Sequence, residues 1–137
     1  TLAANALKIL DDGIILRSEA NLVASLAASW DESAREAARG LLSRIAAEET
    51  ARTTRQVSTS LPSLSAELLA KAGATFGAQL RRQTADGFIS LSCPAGKVAA
   101  LADWLIAEGA GTVTVAALDY VFSATNPLYE KLLARLP

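Results

Sequence analysis

Apolar residues recur along this chain in two rhythms, and the rhythm changes near residue 55. Before that point the spacing is helical. Ala34, Ala37, Ala38, Leu41, Leu42 and Ile45 predict the apolar stripe of a long helix over 31–53, with Arg35, Glu36, Arg39, Glu48 and Glu49 on its wetter faces. Ser33 and Glu36 have the spacing of a capping box. From residue 55 the pattern alternates. Val57, Thr59 and Leu61 predict a strand over 55–61, which Pro62-Ser63 ends while offering an N-cap. A helix over 64–72 follows, closed by Gly73, and then a second strand over 75–82 with Phe76, Ala78 and Leu80 on one face. Ala85-Asp86-Gly87 is a hairpin turn leading to a third strand over 88–93, with Ile89, Leu91 and Cys93 inward. Pro94 suits the first turn of the next helix, where Val98, Leu101, Ala102 and Leu105 form one buried face before Gly109 and Gly111 end it. A fourth strand over 112–119 places Val113, Val115 and Ala117 together. Asn126 and Pro127 open a terminal amphipathic helix over 126–136.

The order from 55 to 119 is thus β-α-β-β-α-β. That order predicts an α+β, ferredoxin-like domain: a four-stranded antiparallel sheet with two helices on one face. The other face carries Ser58, Ser60, Ser90, Ser92, Thr112 and Thr114, and is either solvated or turned toward another subunit. Upstream, residues 1–10 predict a short helix, Asp11-Asp12-Gly13 a turn, and 14–17 and 21–26 two short strands. The chain divides accordingly: 1–30 as the tail of an α/β domain, 31–54 as a connecting helix, 55–122 as the ferredoxin-like domain, and 123–137 as a helical tail.

Composition narrows the function classes. The 137 residues are 51% hydrophobic and 20% charged, the balance of a globular protein. A net charge of −1 provides no electrostatic footprint for nucleic acid. Nor do Trp30 and Trp104 form a stacking platform, and Phe88 is the lone aromatic of the central strands. No apolar run is long enough to span a membrane, and the N-terminus lacks a signal-peptide pattern. A single cysteine excludes an internal disulfide and fits a reducing cytoplasm. The sequence has no Met, which reads as a piece of a longer chain. It has no His, which removes Ser-His and Cys-His catalysis and most zinc sites. Asp11-Asp12 and Glu48-Glu49 read as surface charge, and Cys93 as a buried thiol with nothing nearby in sequence to ionise it. No catalytic or metal-ligating constellation is therefore assigned.

Three stretches together resemble ATP phosphoribosyltransferase. The first runs from Thr1-Leu2-Ala3-Ala4-Asn5 through Leu10-Asp11-Asp12-Gly13 to IILRSEANLVAS at 14–25, in which RSEANLVAS is the most specific part. The second is the helix centre Leu41-Leu42-Ser43-Arg44-Ile45 followed by Ala51-Arg52, similar to the helix that joins the family's catalytic and regulatory domains. The third is the βαββαβ region ending in Glu108-Gly109-Ala110-Gly111-Thr112-Val113, similar to the last helix–strand junction of the long form. The resemblance implies the C-terminal part of an enzyme that joins ATP to phosphoribosyl pyrophosphate with Mg²⁺, the first step of histidine biosynthesis. This part alone is expected to be inactive and to bind no cofactor. Thr1 and Leu2 are either remnants of the 5′-phosphate loop or, for Thr1, a helix cap.

The same resemblance implies a regulatory role for 55–119: L-histidine as effector, and assembly into homo-oligomers from dimer to hexamer. Thr75 and Ala116 fall near family positions that meet the ligand. Ser58-Thr59-Ser60 stand where the family's acidic residue is expected, and the loop before the second strand is shorter. The alternatives are a purely structural oligomerisation module without a ligand, and an unrelated ferredoxin-like domain such as a nucleic-acid binder.

Overall fold

The computed structural model describes residues 22–136. The expected helix over 1–10, the strand over 14–17, and Thr1 and Leu2 lie outside the described residues. Within the range of the expected strand over 21–26, residues 22–25 have no regular structure and Leu26 begins a turn. Leu22 and Val23 are exposed there. A strand needs a partner to satisfy its backbone, and these residues have none among those described.

The long helix, α1, spans Glu32–Thr53. Its cap is Asp31 rather than Ser33: the Asp31 carboxylate accepts from the Ala34 N–H at 2.8 Å. Glu36 is engaged instead by Arg39, in an exposed ion pair at 2.6 Å. The inward face also differs from the expected stripe. Ala34, Ala38 and Leu42 are partly covered and Ala47 and Ala51 are buried, whereas Leu41 is 50% and Ile45 41% exposed. Apolar residues occupy so much of the helix circumference that periodicity alone does not select a face.

Strand β1, Thr54–Ser60, follows α1 directly. Helix α2 covers Ala66–Phe76, β2 Gln79–Gln83 and β3 Phe88–Pro94. A single 3-10 turn at Ala95–Lys97 leads into α3, Val98–Ala107, and then β4, Val113–Ala117. Helix α4 is Pro127–Leu133, with the Asn126 side chain accepting from the Tyr129 N–H at 3.1 Å as its cap. The sheet is antiparallel in the order β2-β3-β1-β4. This is the ferredoxin-like βαββαβ arrangement.

Strand alternation places Val57, Leu61, Ile89, Leu91 and Cys93 in one core with Ala72 of α2 and Leu101 and Leu105 of α3. Each of the largest of these side chains removes about 1.5–3 kcal/mol worth of apolar surface from water. Thr59 shares that face, and its hydroxyl is satisfied by the Thr112 carbonyl at 2.7 Å.

Helix α2 is displaced relative to its predicted range. It starts from Ser65, whose side chain accepts from the Leu68 N–H, and continues past Gly73 to end at Gly77, in the left-handed region at φ 69°. The cause is tertiary: Phe76 packs on Trp104 of α3 with ring centroids 5.4 Å apart, so burial favours one more helical turn. Thr75 and Phe76 are therefore helical, and the second strand begins only at Gln79. Pro94 closes β3 instead of starting a helix. Of Val113, Val115 and Ala117, expected on one face, Val113 is half-buried and Val115 and Ala117 are exposed on the edge strand β4.

Candidate functional site

The sheet face opposite α2 and α3 is polar, as its hydroxyl-rich strands require. Gln56 and Ser58 of β1 point to this side, because their neighbours Val57 and Thr59 point into the core. Across the strand pair, the Gln56 side-chain amide donates to the Ser90 hydroxyl at 3.0 Å. The Ser58 hydroxyl lies 3.5 Å from the same oxygen. Ser90 is 5% exposed, so the shared hydroxyl of this network is removed from water, while Gln56 is exposed and Ser58 half-buried.

The β2 strand adds a cation. A register shift between Leu80 and Arg82 marks a bulge that turns the Arg81 side chain onto this face. Its Nε donates to the Ser92 hydroxyl at 2.9 Å. That contact anchors the guanidinium, which has further donors to offer.

Helix α1 supplies the wall. The Val121 N–H, just past the end of β4, donates to the Ala47 carbonyl at 3.0 Å and ties the C-terminal segment to α1. A groove of about 750 Å³ results, lined by Thr50 and Thr53 of α1, by Gln56, Arg81 and Ser92 of the sheet, and by Val121. Among the described residues no Asp or Glu lines it. Hydroxyl and amide donors beside an arginine, with no competing carboxylate, suit an anion such as a carboxylate. The groove has room for an amino-acid-sized molecule.

The two effector candidates flank this groove without lining it. Thr75 is exposed on the last turn of α2, immediately before Phe76 and the groove residue Gly77. Ala116 is exposed on β4 directly opposite Gln56. Because β2 and β4 are opposite edges of the sheet, one chain does not bring Thr75 and Ala116 together. Sequence reasoning missed Arg81, Gln56 and Thr50. The signal available was the Arg-Arg pair in a strand otherwise facing hydroxyls, but its facing depends on the bulge.

Cys93 is fully buried beneath the groove floor, and burial pushes its thiol above the ordinary value. It is a core residue and not a nucleophile. A larger hollow, about 940 Å³, lies at the start of α1 beside Trp30, Glu32 and Tyr129. Several of its polar groups are already engaged: Arg35 donates to the Trp30 carbonyl at 2.9 Å, Asp31 caps the helix, and Glu36 pairs with Arg39. Among the described residues no helix is long and apolar enough to cross a membrane.

Fold and groove together define a small α+β domain of the ferredoxin-like class, with a polar groove between α1 and the sheet face opposite α2 and α3. Comparison with known proteins is more specific. The chain is similar to the ATP phosphoribosyltransferase of Bradyrhizobium diazoefficiens, with 50% identity over 138 residues and 99% of its own length. It is 49% identical over 134 residues to the ATP phosphoribosyltransferase of Nitrobacter winogradskyi, and 46% identical over 138 residues to one from Rhodopseudomonas palustris. The chain spans only 41–42% of the length of these relatives. No protein-family model matches it.

Proposed function

We propose that this chain is the C-terminal part of an ATP phosphoribosyltransferase and that its ferredoxin-like domain is the regulatory and assembly module of that enzyme. The observation that carries the proposal is identity near 50% across almost the whole chain with proteins of that name. In this reading the longer protein joins ATP to phosphoribosyl pyrophosphate with Mg²⁺ and releases pyrophosphate, opening histidine biosynthesis in the cytoplasm. Both substrates and the metal belong to the remainder of the enzyme, and Thr1 and Leu2 close its 5′-phosphate loop. Among the described residues no three His, Cys, Asp or Glu side chains stand together as metal ligands.

The regulatory ligand in this proposal is L-histidine. Its carboxylate suits Arg81, and its imidazole suits the hydroxyls around Ser90 and Ser92. Its ammonium finds no carboxylate in the groove, since Ser58-Thr59-Ser60 are neutral, so it faces solvent or a neighbouring subunit. Thr75 and Ala116 then act from adjacent copies of the domain. The lack of a carboxylate for the ammonium also favours a second reading, in which the domain builds a homo-oligomer between dimer and hexamer and binds no ligand.

Titration calorimetry of L-histidine into the intact protein tests this, alongside release of pyrophosphate from ATP and phosphoribosyl pyrophosphate. The expected result is saturable heat, weakened about tenfold or more by Arg81→Gln through loss of a charged hydrogen bond. An active protein that shows no heat refutes the effector role and leaves assembly. An inactive one, given both substrates and Mg²⁺, refutes the enzymatic assignment.

A further inference from the structure

Strand β2 gives the groove a second cation that the effector reading leaves unused. Leu80 lies opposite Leu91 of the core face, and Arg82 lies opposite Ser90 of the polar face. The register shift between them sets Arg81 and Arg82 side by side on the polar face, whereas a regular strand sends neighbours to opposite faces. Both arginines line the groove, and among the described residues no Asp or Glu does. Neither arginine takes part in an ion pair among the described residues. Two adjacent guanidinium groups repel each other, and the chain as a whole carries a net charge of −1, so the positive charge here is local. The nearby hydroxyls are set to donate. Ser92 accepts from Arg81 Nε at 2.9 Å, and Ser90 accepts from the Gln56 amide at 3.0 Å. Each serine therefore keeps its own O–H hydrogen for an incoming acceptor.

We propose that Arg81 and Arg82, with the Ser92 hydroxyl, form a site for a dianionic phosphate group, free or esterified to a small molecule. A carboxylate has one charge and two oxygens in a plane, and it satisfies one guanidinium fork. A phosphate group carries a charge of about −1.5 to −2 at neutral pH and has three strong acceptor oxygens. Those oxygens diverge, so they accept from two guanidinium groups and a hydroxyl at once. The groove, about 750 Å³, holds such a group together with a small organic remainder. L-Histidine and phosphate both draw on Arg81 and therefore compete, whereas Arg82 serves phosphate alone. The inference goes beyond the effector reading and stands or falls separately from it.

Titration calorimetry of the intact protein with inorganic phosphate and with glycerol 3-phosphate tests the site, at low ionic strength where exposed charges are least screened. Hydrogen exchange locates the binding: phosphate is expected to slow exchange in the Gln79–Gln83 strand. Arg82→Gln is expected to weaken phosphate binding there about tenfold or more, and L-histidine binding by no more than about twofold; Arg81→Gln weakens both. Arg82→Lys keeps the charge without the fork and restores part of the phosphate affinity. Arg82 is exposed, and the thermal transition of each variant checks that the fold is kept. Tighter binding of the ester identifies an organic phosphate as the occupant, and tighter binding of inorganic phosphate identifies the free ion. Phosphate that leaves exchange in the Gln79–Gln83 strand unchanged, or that slows it equally in Arg82→Gln, overturns the proposal and leaves the effector reading intact. Slowed exchange with phosphate, lost in Arg82→Gln, together with no heat from L-histidine, upholds the proposal and refutes the effector role.

Discussion

Gly87 allows the energetics of the fold to be tested at one atom. It sits in the hairpin between β2 and β3 at φ 85°, a conformation that costs a residue with a Cβ about 1–2 kcal/mol. A Cβ built there would lie 2.5 Å from the Leu61 carbonyl oxygen. Leu61 cannot easily give way: it is 2% exposed, and its N–H donates to the Gly87 carbonyl at 3.0 Å. Relieving the clash strains or breaks that bond, worth about 0.5–1.5 kcal/mol, and shifts the end of β1 in a packed core, which costs about 1 kcal/mol more. Alanine recovers about 0.4–1 kcal/mol by restricting the unfolded chain. The net expectation for Gly87→Ala is a loss of about 2–4 kcal/mol. Two other glycines calibrate it. Gly77 shares the positive φ, at 69°, but its added Cβ would meet only the Pro94 ring at 3.4 Å, so Gly77→Ala is expected to cost about 1 kcal/mol. Gly96 has nothing within 4 Å, and Gly96→Ala is expected to be neutral or to stabilise by up to about 1 kcal/mol. Urea unfolding of the three variants, with midpoints compared at constant slope, measures the series. If Gly87→Ala falls within about 0.5 kcal/mol of Gly77→Ala, then the contact with Leu61 does not bear on stability and the reasoning fails.

Three further outcomes follow from the same structure. Asp31→Ala is expected to remove about 1 kcal/mol by orphaning the Ala34 N–H, while Ser33→Ala leaves the unfolding midpoint unchanged; equal effects would return the cap to Ser33. Leu105→Ala empties the centre of the core, where Leu105 is fully buried, and is expected to cost about 2–5 kcal/mol by thermal or urea unfolding. Burial raises the Cys93 thiol above its ordinary value of 9.0, so the folded state favours the neutral thiol. The resulting stability is complete below that pH and declines as pH rises above it, where the unfolded chain gains by ionising. Cys93→Ala is expected to flatten this alkaline decline, and the native thiol to resist a disulfide reagent at neutral pH; rapid labelling without unfolding would contradict its burial.

What was legible in the sequence was the part governed by short-range periodicity. Alternation marked Val57, Thr59, Leu61, Ile89, Leu91 and Cys93 as one sheet face, and helical spacing marked Leu101 and Leu105; all eight are buried. Turn and cap chemistry located the hairpin at Ala85-Asp86-Gly87 and the start of α4 at Asn126, because those signals act within a few residues of chain. The order of elements then left the ferredoxin-like arrangement as the compact way to bury one sheet face under two helices.

The tertiary structure decided whatever depended on residues distant in sequence. Helix α2 runs past Gly73 because Phe76 finds Trp104, a partner on a different helix. The buried face of α1 is set by its contact with α4 and the Val121 segment, since alanine on nearly every side leaves the helix itself indifferent. Arg81 reaches the polar face through a bulge, which shifts strand pairing by a residue and so defeats simple alternation. The groove is likewise invisible locally: Thr50, Gln56, Arg81 and Val121 converge only when α1 and the C-terminal segment fold against the sheet. Sequence alone determined which residues of β1, β3 and α3 turn away from water, because there the apolar pattern matches the backbone period; the buried face of α1, the elements that meet, and the edge and groove they leave open are a matter of long-range packing.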